Sequence, residues 1–204
     1  MSESLHNISM KGQSTMNFLK RLFGSSGNAQ VELDEPLPDL WKALQRDPNH
    51  EQAVNCYASA YRQRSEADGI AALSRVAAVP GSWRAQLWLG QHAMHSEQPE
   101  RALELFRESV ANANRPVPMD ALADISAVLG SAGYFREIEE IVEPAFEPKV
   151  HGVHVGSNLI RAHVELGEFV KARKILDQLY AVRRPEAEPQ LQYWTQALAS
   201  AEAE

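Results

Sequence analysis

The feature that most constrains this chain is an internal repeat. Ala58, Gly90, Ser126 and Ile160 each sit in the middle of an apolar-periodic stretch, and their spacings are 32, 36 and 34 residues. Twelve residues after each comes a second packing position, namely Ile70, Ala102, Ile138 and Ala172, and four further on Ser74, Phe106, Val142 and Leu176. A period near 34 split into two amphipathic helices describes a unit that buries one side only, so neighbours must stack. Gly133 and Gly167 suit the left-handed conformation at a helix end, and Pro48, Pro80, Pro116, Pro144 and Pro185 fall at unit boundaries.

The pattern predicts a leading helix at 37–46, then helix pairs at 50–64 with 67–78, 83–96 with 99–113, 118–132 with 135–146, and 151–166 with 169–182. A last helix at 187–201, with Leu191, Trp194 and Leu198 on one side, caps the array. No run reads as a strand. The fold class is therefore all-α, a right-handed α-solenoid of about four antiparallel helix pairs with flanking helices. At each crossing small residues should stand where the helix axes come nearest, as with Gly90 against Ala102, with large residues on either side to fill the space. Trp41, Trp83, Trp88, Trp194, Tyr57 and Tyr61 read as core, and Cys56 as a small buried apolar residue.

Residues 1–36 read as an amino-terminal tail, and 37–204 as the repeat domain. Within the tail, residues 16–24 place Phe18, Leu19, Leu22 and Phe23 at helical spacing, with Lys20 and Arg21 elsewhere. That short amphipathic segment reads as part of a flexible tail that is disordered or docked on its own domain, with a peripheral contact with an anionic membrane surface as the alternative. No segment has the length of apolar sequence that a membrane span needs, which points to the cytoplasm.

Charge excludes one class of partner. Lys and Arg total 20 against 27 Asp and Glu, a net charge of −7, so the cationic surplus of a nucleic-acid-binding protein is missing. Chemistry is weakly signalled. His92 with His95, and His151 with His154, share a three-residue spacing that could face a metal, but neither pair has a third ligand, and ordinary surface histidines account for them. Glu137, Glu139, Glu140 and Glu143 read as a solvated helix face. No phosphate loop or nucleophile setting is present, so neither catalysis nor a cofactor or metal is expected.

Trp88-Leu89-Gly90, Ala102 to Phe106 and Pro116 form one unit, and His163 to Phe169 leading to Ala172-Arg173 form another. With Asp47-Pro48-Asn49 and Ala53, Tyr57, Ala58 and Tyr61 at a junction, the chain over residues 39–200 resembles the tetratricopeptide repeat family. Ile160, Ile70 and Ile138 depart from its small residues, which predicts wider packing at those helix pairs. The resemblance implies a scaffold that binds a protein partner's peptide or helix in the groove lined by the first helix of each pair. Carried over position by position, that lining comprises Asn55, Ser59, Arg62, Arg84, Leu87, Gln91, His95, Asp120, Ala127, Ser157, Arg161 and Glu165. Arg62, Arg84 and Arg161 would then meet an acidic segment of the partner.

Overall fold

A computed structural model describes residues 37–182 and 185–202. The tail, including the segment at 16–24, lies outside the described residues. Ten α-helices are present among the described residues and no strand. They are α1 (Pro38–Arg46), α2 (Glu51–Arg62), α3 (Glu66–Ala77), α4 (Arg84–His95), α5 (Pro99–Asn112), α6 (Met119–Ser131), α7 (Phe135–Ile141), α8 (Pro148–Glu165), α9 (Phe169–Ala181) and α10 (Glu188–Ala201).

Local chemistry sets the ends. His50 and Ser65 cap α2 and α3, each accepting from the amide three residues on, Ala53 at 3.3 Å and Asp68 at 3.0 Å. Pro99 and Pro148 start α5 and α8, where a missing N–H costs nothing. The turns α4–α5, α6–α7 and α8–α9 share one geometry. A left-handed residue, Glu97 (φ 58°), Gly133 (φ 80°) or Gly167 (φ 71°), is followed by an amide that reaches back five residues. Those bonds run from Gln98 to Ala93 (2.9 Å), Tyr134 to Leu129 (2.9 Å) and Glu168 to His163 (2.7 Å). This is the bond pattern that closes a helix on a left-handed residue. The second pair achieves it with a glutamate, which sequence inspection alone does not reveal.

Two predicted helices differ. The span 135–146 divides into α7 and a 3-10 turn at Glu143–Ala145, because Pro144 has no amide to continue the α ladder. Helix α8 begins at Pro148, three residues early, and Gly152 (φ 58°, ψ −156°) breaks its regularity.

Packing follows the chain. Within the units, α2 packs on α3, α4 on α5, α6 on α7 and α8 on α9. Each second helix also touches the first helix of the next unit, as α3 does α4, α5 does α6, α7 does α8 and α9 does α10. First helices meet each other as well, α4 with α6, α6 with α8 and α8 with α10, while α1 lies on α2. A continuous core runs from Leu44 through Tyr57, Leu73, Trp88, Phe106, Ile125, Ile160 and Leu176 to Leu198. Trp83 and Trp88 are buried in it, and Trp41, Tyr61 and Trp194 pack against it. Cys56 is exposed, contrary to its reading as a buried apolar residue: it lies on α2 one residue before buried Tyr57, which takes the inward direction.

Close approach occurs at two glycines. A Cβ on Gly90 would lie 2.6 Å from the Phe106 ring, and a Cβ on Gly156 would lie 2.6 Å from Leu179. The partner of Gly90 is thus Phe106, one turn beyond Ala102. In the last unit the close contact moves to Gly156, one turn before Ile160, which leaves the isoleucine to fill the core.

Candidate functional site

The first helices are tied together by polar side chains, each bond spanning about one repeat. Arg84, at the start of α4, reaches in three directions. Its Nη1 lies 3.4 Å from Glu51 of α2, its Nη2 donates to Asp120 of α6 at 3.1 Å, and its Nε donates to the Asn49 carbonyl at 2.9 Å. The guanidinium also stacks 4.5 Å over the Trp83 ring. Further along α4, Gln91 donates to Asp124 of α6 at 3.2 Å. Asn158 of α8 donates to Ser126 of α6 at 2.8 Å, and Ser157 of α8 accepts from Gln190 and Trp194 of α10, both at 2.9 Å. The result is a polar ladder from α2 to α10.

Asn49 secures the ladder's first step. Its side-chain oxygen accepts from the amides of Trp83 (2.9 Å) and Arg84 (3.1 Å), and its Nδ2 donates to the Gly81 carbonyl at 2.8 Å. Helix α4 has no cap of its own at Trp83, so the preceding unit supplies one.

The predicted lining residues divide by position. Arg84, Gln91, Asp120 and Ser157 are members of the ladder. Asn55, Ser59 and Arg62 lie part-buried on α2, with Arg62 3.8 Å from Glu66 and the Asn55 side-chain oxygen buried without a hydrogen-bond partner. Leu87 is buried in the core. Ala127 is exposed, and so is His95, whose Nδ1 lies 2.7 Å from the Gln91 carbonyl. Arg161 and Glu165 are exposed and 3.8 Å apart, with the Arg161 guanidinium over Phe135 of α7.

Electrostatically, the arginine of this face is spent internally. The Arg84 side chain is 14% exposed, whereas Glu51 and Asp120 are 56% and 49% exposed. The charge offered to solvent around α2, α4 and α6 is therefore carboxylate. Burial pushes the Asp124 carboxyl up to about 6, and Asp120 and Glu51 add to the rise against the Gln91 hydrogen bond and the Arg84 charge.

A second polar cluster joins α7, α8 and α9. His163 is fully buried, with Nε2 3.0 Å from Glu143 and Nδ1 3.1 Å from Glu168. Carboxylates only accept, so the ring meets both as a donor when both nitrogens carry hydrogen. Arg136 bonds Glu168 at 2.9 Å and also Glu139, while Lys171 bonds both Glu139 and Glu168. The Arg136 hydrogen bond is the main reason that the Glu168 carboxyl is held down at about 2. The expected solvated face of Glu137, Glu139, Glu140 and Glu143 is therefore corrected in part: Glu139 of α7 and Glu143 of the 3-10 turn are part-buried links between helices.

Ligand-type atoms of Glu139, His163 and Glu168 come within 4.8 Å of one another. Both His163 nitrogens are engaged and two protein cations balance the carboxylates, so a metal ion there would have to displace Arg136 and Lys171. The histidine pairs singled out by spacing behave differently from this cluster. His92 is part-buried near Glu66, and His95 and His154 are exposed. His151 is fully buried rather than at the surface, donating from Nε2 to the Val117 carbonyl (2.8 Å) and accepting at Nδ1 from the Glu147 amide (2.8 Å). The sequence offered no signal for His163, since its two partners are 20 residues before it and five after.

No helix among the described residues is long and apolar enough to cross a membrane. No protein-family model matches the chain, and comparison with curated proteins and with solved structures likewise gives no match.

Proposed function

We propose that this chain is a non-catalytic protein-binding scaffold. Its helices form a right-handed solenoid of four antiparallel pairs, α2–α3 to α8–α9, flanked by α1 and α10. The face of the first helices takes an extended segment or a helix of a protein partner. The observation that carries the reading is the polar ladder, in which side chains 32 to 37 residues apart bond along the series α2, α4, α6, α8 and α10. Such a lattice holds the face in shape before any partner arrives, so association does not bear the entropy of ordering it. Catalysis has no part in this reading.

A peptide library displayed on phage and selected on the full-length protein tests it. Selected peptides should lose binding to Asp120→Arg, on the face, and keep it with Glu104→Arg, on α5. Peptides that respond to Glu104→Arg and ignore Asp120→Arg would place the binding surface elsewhere and refute the proposal.

A further inference from the structure

At its amino-terminal end the ladder face carries exposed acidic charge. Glu51 and Asp120 are each about half exposed, with the part-buried Arg84 as the cation between them. Beside Asp120, Met119 is 48% exposed and supplies apolar surface. An occupant suited to this end is cationic and carries apolar side chains.

One segment of the chain outside the described residues has that chemistry. Residues 16–24 carry Lys20 and Arg21 and no acidic residue, together with Phe18, Leu19, Leu22 and Phe23. The tether also fits. Residues 25–36 join the segment to Leu37, and twelve residues span up to about 40 Å. Helix α1 has nine residues, about 14 Å of length, and its last residue, Arg46, is followed by a short turn into α2, which begins at Glu51. The acidic end of the face thus lies well within reach, and a short tether gives an effective concentration of order millimolar.

We infer that residues 16–24 are an intramolecular occupant of the ladder face, with Lys20 and Arg21 set against Glu51 and Asp120. The inference rests on the reading of this face as a binding surface. Its consequence is regulation: a partner binds by displacing the chain's own tail, so the tail sets an affinity threshold for entry.

The single cysteine, Cys56, is exposed on α2 and provides the probe. A nitroxide attached there in the full-length, nitrogen-15-labelled protein should broaden the amide signals of residues 16–24. The broadening should vanish in Lys20→Glu/Arg21→Glu, and in about 1 M salt, where screening acts over about 3 Å. Adding Asp120→Lys to the reversed tail should restore it. Equal broadening in the wild type and the reversed tail would overturn the inference. So would broadening that appears only between a spin-labelled chain and a separate nitrogen-15-labelled chain, which would make the occupant a second copy. If the tail shows no broadening while phage-selected peptides still respond to Asp120→Arg, the autoinhibitory contact fails and the binding face stands.

Discussion

Gly90→Ala isolates the close contact on which the stacking of α4 and α5 depends. A helix-interior Gly→Ala change normally stabilises by about 1 kcal/mol, because the unfolded chain loses freedom and the helix gains a good former. Here the new Cβ would lie 2.6 Å and 2.7 Å from two Phe106 ring carbons, more than 1 Å inside ordinary contact. Phe106 is completely buried, so the ring has no open side to swing into. Overpacking of this kind costs about 1–3 kcal/mol. Because the clash is with a confined ring, the cost should exceed the propensity gain, for a net loss of up to about 2 kcal/mol. At about 2–4 °C per kcal/mol for a chain of this size, the melting temperature should fall by up to roughly 8 °C.

Gly130→Ala is the control. Its Cβ meets only Ile138 Cδ1 at 3.5 Å, an ordinary contact, and the change should be neutral or stabilising by up to about 1 kcal/mol. Urea unfolding of both variants, with Phe106→Leu in a double-mutant cycle, provides the assay. The smaller, flexible leucine should recover part of the Gly90→Ala loss. A Gly90→Ala protein as stable as the wild type, or a cycle with no coupling between positions 90 and 106, would refute the close-packing argument.

Asp124→Asn should stabilise the protein at pH 7 by an amount on the order of 2–3 kcal/mol, since the folded carboxyl is raised from 3.8 to about 6. The stabilising effect of Asp124's excess proton uptake on folding is full below pH 3.8 and is lost as pH rises through about 6, so unfolding measured across that window should show the mutant's advantage shrink toward acid. His163→Gln should cost about 2–3 kcal/mol in urea unfolding, because it breaks at least one of two charge-assisted bonds in a buried position. Asn49→Ala should cost about 1–2 kcal/mol in the same assay, as it uncaps α4 from outside. Glu97→Gly should stabilise by about 0.5–1 kcal/mol, read as a rise in melting temperature, because a left-handed φ strains any residue with a Cβ.

Helix positions were legible in the sequence to within about three residues, because they follow from apolar periodicity, proline and glycine, all local properties. The exceptions are local failures of that logic: Pro144 split one helix, and Gly152 interrupted another. Where the expected lining residues sit was legible only in part. Arg84, Gln91, Asp120 and Ser157 are on the ladder, yet periodicity could not tell that Leu87 faces the core or that Arg161 leans onto Phe135. A position along a helix fixes an angle about its axis, and a rotation of a few tens of degrees exchanges surface for core.

What the sequence determined by itself was the all-helical class and the turn residues Gly133 and Gly167, because each arises from interactions within a few residues of chain. Only tertiary structure decided the rest. Asn49 caps a helix that begins 35 residues later, Arg84 is neutralised by Glu51 and Asp120 from two other helices, and His163 is enclosed by carboxylates on either side of it in sequence. Stacking places such groups within 3–4 Å, and charge and hydrogen bonding are decided at that range, whatever the distance along the chain.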